Sequence, residues 1–561
     1  MKQWLQKTHG PLFELLRHFL LRFFDSDLIT APGQMTAALV GAFSIFIPCF
    51  PIILAPVRAK YMYISKLGNP SLYESALRAD ELWLMTLVMS ATGLLTAIKW
   101  NSVFPGLRDY RSLASLPLRP AQLFMAKMLA LLLVAMPVIL ILNLFPSVMF
   151  PSISGSPWST ASWGQRVAAQ ALAGIAGSYF LFFGLVAVQE MLLIVLRPRT
   201  FNSVTGYLQG FLVAAMLVFT VLSFSIQPSV ASSVLQPSLA QWLPPAWFLG
   251  LQQTLLGNPD SQLRSLAHLS IAALLLALFS TFIAYMLSYH RYRRILLEVG
   301  PTSVGRRRFA VLGWLIPNPR QQAVVSFIMK TLTVSSQHRL ILMGYTGFGL
   351  AVLLTGLLSL KQFVPPSRML AAGFVYTHVV ITIFVLLGFR HLFSIPLELR
   401  ANWIFRITEE EGRREWLAAV DRFVLVAGMT AFLVIPFPIE FRVIGWRAVG
   451  ESILLAAFGL LCYELVFYSW EKLPFTCSHL PGKFPMWIRA LQVFGVLGLL
   501  APVNAILLGC LYSRPRYTFV LALLLVSWAF VRTNRMNARG VLHLKYEESP
   551  EAPVLSLRLL Q

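Results

Sequence analysis

Twelve apolar stretches, each long enough to cross a bilayer as a helix, set the main constraint on this chain. A spanning helix needs about 20 apolar residues to traverse a hydrocarbon core roughly 30 Å thick. Such stretches cover approximately residues 35–56, 82–98, 123–150, 167–196, 204–226, 265–289, 340–360, 369–389, 419–438, 449–470, 487–512 and 517–531. Of the 561 residues, 57% are hydrophobic and only 12% charged, whereas a soluble domain carries roughly 25% charged residues. Too few charges remain to clothe the surface in water, which excludes a soluble globular enzyme. The expected fold class is all-α: a polytopic membrane protein of about 12 transmembrane helices in two six-helix halves. Pro48, Pro51, Pro436 and Pro438 fall in the first and ninth stretches, where kinks or re-entrant shapes are expected.

The net charge is +23. In a soluble protein so basic a balance would point to nucleic acid. Here the basic residues lie between apolar runs, as they do in cytoplasmic loops, so no nucleic-acid partner is expected. With the N-terminus inside and the spans alternating, 34 of the 46 Lys and Arg fall on the inner side and 12 on the outer. This bias places both termini in the cytoplasm and the chain in a cytoplasmic membrane. The first apolar run begins near Met35, too far in for a cleavable leader, so the first span is expected to act as the insertion signal.

The expected organisation is a cytoplasmic amphipathic segment over 1–34, a first half over 35–289, a cytoplasmic linker over 290–339, a second half over 340–531 and a cytoplasmic tail over 532–561. The linker carries Arg306, Arg307 and Arg308, read as inside retention, with anionic lipid as a weaker alternative. The halves look related. Phe183, Gly184, Leu185, Glu190 and Phe201 in the first parallel Phe458, Gly459, Leu460, Glu464 and Phe475 in the second, and the Glu-to-Phe spacing is eleven in both. Each half also opens with an amphipathic segment: Leu12, Leu16, Phe19 and Phe23 share one face, and Ala323, Val324, Phe327, Ile328 and Leu332 repeat similarly.

Each half has a long inner loop after its second span: Trp100 to Lys127, containing FPGLRDYRSLASLPLRPAQLFMAK, and Phe389 to Arg422, containing IPLELRANWIFRITEEEGRREW. Between the fifth and sixth spans the segment LPPAWFLGLQQTLLG forms the largest outer connection. These features together resemble an ABC transporter permease of the exporter type, here two six-span units fused. The resemblance covers the first half well and the second less well, because the outer loop from Tyr512 to Tyr517 is very short. It implies a separate ATP-binding subunit docking on the inner loops, with Arg108, Asp109, Tyr110 and Arg111 coupling in the first and Arg400, Trp403 and Arg406 in the second. No GxxxxGK[ST] phosphate loop occurs in the chain, so ATP hydrolysis is expected in that partner and this chain is expected not to be an enzyme. Membrane lipid is the other expected partner; a homodimer and a pseudo-dimer within one chain both remain open.

Ionisable groups inside a span are costly and are functional candidates by default. Glu190, Glu464 and His378 qualify. They are read either as substrate- or proton-handling groups or as interhelical hydrogen-bond partners, the second reading being preferred for His378. No cofactor and no metal site is expected, since the nine histidines are scattered and Cys49, Cys462, Cys477 and Cys510 include no CxxC pair. A secondary, proton-coupled transporter is the first alternative. A membrane glycosyltransferase using lipid-linked sugar is the second, because Asp80 and Glu81, with Glu74 nearby, occupy the first outer loop. Against that, acids at this place are read as a helix-start pair favoured by the helix dipole.

Overall fold

The computed structural model describes residues 12–20, 55–100, 120–155, 158, 161–224, 226–258, 260–298, 318–396, 413–468, 470, 472–476 and 486–539. The described residues are mostly helical, and none of them forms a strand. Ten of their helices are long and apolar enough to cross a membrane, which makes this a multi-pass helical membrane protein. The ten coincide with ten of the twelve expected stretches. The first, 35–56, lies outside the described residues, as do the coupling candidates Arg108, Asp109, Tyr110, Arg111, Arg400, Trp403 and Arg406 and the run Arg306 to Arg308. The eleventh stretch is a helix over Met486–Leu511. The twelfth, expected to be short, is a 26-residue helix over Arg514–Arg539.

The chain divides into two compact units, Met1–Pro301 and Thr302–Gln561. In the first, helix α1 (12–20) and helix α2 (55–67) precede eight further helices. These are α3 (Pro70–Ile98), α4 (Pro120–Ile153), α5 (Trp163–Val195), α6 (Pro198–Ser223), three short helices α7 (Pro228–Val234), α8 (Pro237–Ala240) and α9 (Pro244–Leu255), and α10 (Ser261–Glu298). Local signals set the boundaries. Asn69 caps α3 by accepting from the Ser71 and Leu72 amides at 3.1 and 3.2 Å, with Pro70 in the first turn. Ser162 and Gln165 form a reciprocal capping box at the start of α5. Pro198, Pro228, Pro237 and Pro244 each open a helix, where a missing amide costs nothing.

Small residues let these helices approach closely, the usual basis of packing where lipid supplies no hydrophobic drive. Gly177 on α5 faces Met89 and Phe248, and a Cβ there would sit 3.0 Å from the Met89 sulfur. Gly250 on α9 lies against α10: a Cβ would fall 2.7 Å from the Leu263 carbonyl oxygen and 2.7 Å from the Leu266 Cβ. The amphipathic reading of residues 12–20 holds. Leu15 and Phe19 are buried against Leu123, Ala126 and Ala130 at the first turns of α4, and the Lys127 ammonium lies 4.9 Å from the centre of the Phe19 ring.

The second unit comprises α11 (Pro319–Val334), α12 (Ser336–Phe363), α13 (Met369–Phe393), α14 (Arg413–Met429), α15 (Phe437–Ile444), α16 (Arg447–Val466), α17 (Met486–Leu511) and α18 (Arg514–Arg539). The expected kink in the ninth stretch is present. After α14 the chain widens into a π turn over Thr430–Val434, with the Ile435 amide donating to Thr430 at 3.1 Å, before Pro436. Gly445, at φ +63°, then ends α15 in a conformation that costs a glycine little. The apolar face of α11 is buried with Phe389, Phe393, Val420 and Phe467. Phe475 holds a φ of +66°, uncommon for a bulky residue; its buried ring packs on His338 and Phe393, and its amide donates to the Phe393 carbonyl at 3.0 Å. The sequence match between Phe201 and Phe475 therefore does not extend to conformation: Phe201 sits in the first turn of α6, whereas Phe475 lies in a non-helical segment.

The seat of Gly250 generates a prediction. Gly250→Val should destabilise the first unit by about 1–3 kcal/mol through overpacking, measured as lower resistance to thermal unfolding in detergent. Gly184→Val, at a site with open space around it, should leave stability nearly unchanged.

Candidate functional site

Four buried polar clusters emerge from this packing, and the three ionisable residues singled out in the sequence occur in three of them. Glu190 lies in the second-last turn of α5 and is fully buried; neither carboxylate oxygen has a hydrogen-bond partner among the described residues. Its neighbour Gln189 donates to the Trp100 carbonyl at 2.9 Å, just past the end of α3.

Glu464, on α16, has a different environment. Its carboxylate accepts from Arg535 of α18 at 2.7 Å and lies 3.7 Å from Arg532. The same Arg535 guanidinium reaches Asp421 of α14 at 3.0 Å and the Tyr463 hydroxyl at 3.3 Å, and Tyr463 in turn donates to Asp421. Arg535 is only 2% exposed and Glu464 3%, so α14, α16 and α18 are joined by one buried network.

His378 lies in the middle of α13. Its Nδ1 bonds the Phe374 carbonyl at 2.8 Å and stands 3.2 Å from a carboxylate oxygen of Glu440. Glu440 and Glu451, both buried, are close enough for their carboxylates to repel. Among the described residues no Lys or Arg bridges to either.

The fourth cluster lies at the far end of the first unit from α1. Asp80 and Glu81 are in the third turn of α3, because that helix begins at Pro70. The helix-start reading of this pair is thus corrected: the sequence placed the span at 82 by hydropathy, and the helix extends three turns beyond the apolar run. Asp80 is held by the Lys60 ammonium at 2.8 and 2.9 Å and by the Tyr61 hydroxyl at 2.8 Å. Burial first, and then the Asp80 carboxylate, push the Tyr61 phenol well above its ordinary range, so it remains a donor. Glu81 turns the other way. Gln252 donates to one of its oxygens at 3.0 Å, Gln253 donates to the other, and Asn258 donates to Gln253. The two acids therefore do not converge on one point, as an acid–base or metal-binding pair would.

Glu81 forms part of the lining of a cavity of about 280 Å³, together with Tyr73, Glu74, Arg78, Trp158, Arg166, Gln170, Gln252 and Asn258. The Tyr73 hydroxyl donates to the Ser154 carbonyl at 2.6 Å, clipping α3 to the end of α4, and its ring stands 5.6 Å from that of Trp158. Among the described residues no group of three or more His, Cys, Asp or Glu side chains could hold a metal ion. Cys462 and Cys510 are free thiols.

The sequence singled out Glu464 but not its partner: Arg535 falls past the apolar run that ends at 531 and reads there as a tail charge. Glu440 was missed in the same way, two residues beyond a predicted span end. Comparison with known proteins adds no relative: no family model, no curated protein and no solved structure matches the chain.

The network in the second unit carries its own test. Arg535→Met removes the buried partner of Glu464, leaving only the half-exposed Arg532 at 3.7 Å, and should cost about 3–5 kcal/mol of stability. The double change with Glu464→Gln should cost clearly less than the sum of the two single changes. Thermal denaturation of the four proteins in detergent measures this coupling.

Proposed function

We propose that this chain is the membrane-spanning permease of an ATP-driven exporter, working with a separate ATP-binding subunit. The observation that carries this reading is the series of short helices α7, α8 and α9 between the fifth and sixth expected spans, the last of them seated among α3, α5 and α10. The LPPAWFLGLQQTLLG segment, which resembles the outer element of exporter permeases, lies in this series. Helix α1, packed on the opposite end of α4, supports the same reading, since such permeases begin with an interfacial helix. On this assignment the inner loops carry Arg108 to Arg111 and Arg400 to Arg406 to the ATPase, and movement of those loops rocks the spans around them. The chain itself binds no nucleotide.

A proton-coupled secondary carrier is the second reading, favoured by one observation: the enclosed His378, Glu440 and Glu451 group. One experiment separates the two. The tagged full chain is purified from its native membrane with and without Arg108→Glu and Arg111→Glu. Recovery of a phosphate-loop ATPase with the native chain, reduced roughly tenfold by the charge reversals of the docking loop, is the result expected of the permease. No ATPase, together with uptake into vesicles driven by a proton gradient and abolished by Glu440→Gln, is the result expected of the carrier.

A further inference from the structure

We propose that the cavity between α3, α4, α5 and α9 is a binding site for a zwitterionic phosphate headgroup, a phosphate and an ammonium on one short carbon linker, of which phosphoethanolamine is the simplest. The case begins with polar atoms that have no partner. Gln170 and Gln252 are each 2% exposed, line the cavity, and carry an amide oxygen that accepts nothing among the described residues. Gln252 cannot be reoriented freely, because its Nε2 is committed to Glu81. Arg166 lines the same space, and its Nε and one Nη have no acceptor there either. Buried amide oxygens and guanidinium N–H groups without partners are costly. A ligand that relieves both must bring an anionic oxygen group and hydrogen-bond donors together.

The lining carries groups suited to both ends of such a ligand. Arg166 and Arg78 supply cationic charge, and a guanidinium pairs well with phosphate oxygens. Glu74 is the exposed acid of the lining, and the Tyr73 and Trp158 rings, packed on each other, line the same space. A carboxylate and aromatic faces suit an ammonium. The volume, about 280 Å³, is at the lower limit for ligand cavities and fits a headgroup rather than a drug-sized molecule.

Position selects phosphate over other anions. Helix α1 packs on Ala126 at one end of α4, and the cavity touches Phe150 near the other. Those residues are about 36 Å apart along the helix, slightly more than a hydrocarbon core about 30 Å thick. The cavity thus sits at the level of headgroups, where phosphates are abundant. The same chemistry could arrive as a lipid headgroup or as a free phosphoester. The proposal requires only that the first unit spans a bilayer, so it stands separately from the partnership with an ATPase.

The test uses the purified full chain without any ATPase. Free O-phosphoethanolamine, phosphocholine and β-alanine are titrated by calorimetry in detergent, and nanodiscs of phosphatidylethanolamine are compared with nanodiscs of phosphatidylcholine by native mass spectrometry. Saturable binding of O-phosphoethanolamine, at least roughly tenfold tighter than phosphocholine, which lacks N–H donors, and than β-alanine, which lacks phosphate, is expected. Arg166→Gln and Gln170→Leu should weaken it by a similar factor, while Arg264→Gln, at an exposed position of α10, should not. Retention of phosphatidylethanolamine alone identifies the lipid as the source; binding of the free ester alone identifies a soluble one. The proposal is overturned if wild-type protein binds neither, if phosphocholine or β-alanine binds as tightly, or if Arg264→Gln weakens binding as much as Arg166→Gln.

Discussion

A polar group carried into hydrocarbon must find its partner within the protein, and the rest of this structure depends on that constraint. Helices meet it for most of the backbone. The exceptions are repaired by side chains. Pro137, Pro146 and Pro151 lie inside α4, each removing a backbone donor; the buried Asn143 side chain in the same helix is itself satisfied, donating to the Ile139 carbonyl at 2.8 Å and to Ser178 of α5 at 3.1 Å. The carbonyls at the end of α3 are taken up by Gln209 of α6, which reaches Ala97 at 3.0 Å, and by Gln189 of α5. Thr86, Thr92 and Thr281 return their hydroxyls to carbonyls four residues earlier, so that none is left open to lipid.

The same constraint distinguishes the ways the chain handles buried acids. In the second unit Glu464 and Asp421 are balanced by one arginine from α18, and the pair fixes the register of three helices. In the first unit Asp80 takes a lysine and a tyrosine from α2, while Glu81 is held by neutral amides. Glu190 and the Glu440–Glu451–His378 group lack such cationic partners among the described residues. Unpaired carboxyls of this kind are where titration or ligand binding can change the state of a membrane protein, and the contrast with Glu464 separates a structural acid from candidate working ones.

Much of the fold was legible because hydrophobic length is a strong signal. Ten spans appear where apolar runs lie, and the amphipathic periodicity of residues 12–20 and 319–334 marks helices that bury one face. The ends were less legible. Hydropathy stops at the last apolar residue, whereas a helix continues into polar sequence when its neighbours bury it. That is why α3 begins at Pro70 rather than 82 and why α18 continues past 531 to carry Arg535. The candidate acids could be found from their position in apolar runs, but their partners could not, because Gln252, Arg535 and Lys60 come from distant or polar segments. The Glu190–Glu464 correspondence was real as spacing and did not predict environment, since among the described residues Glu464 meets an arginine and Glu190 has no hydrogen-bond partner.

The central claim, that the apolar helices lie in lipid with their backbone groups satisfied internally, is tested most directly by polarised infrared spectroscopy of the chain in oriented bilayers during exchange into deuterated water. The account predicts amide dichroism of helices aligned near the membrane normal and a large fraction of amides that stay protonated for hours. Helices lying in the membrane plane, or amides that exchange within minutes throughout, would contradict it.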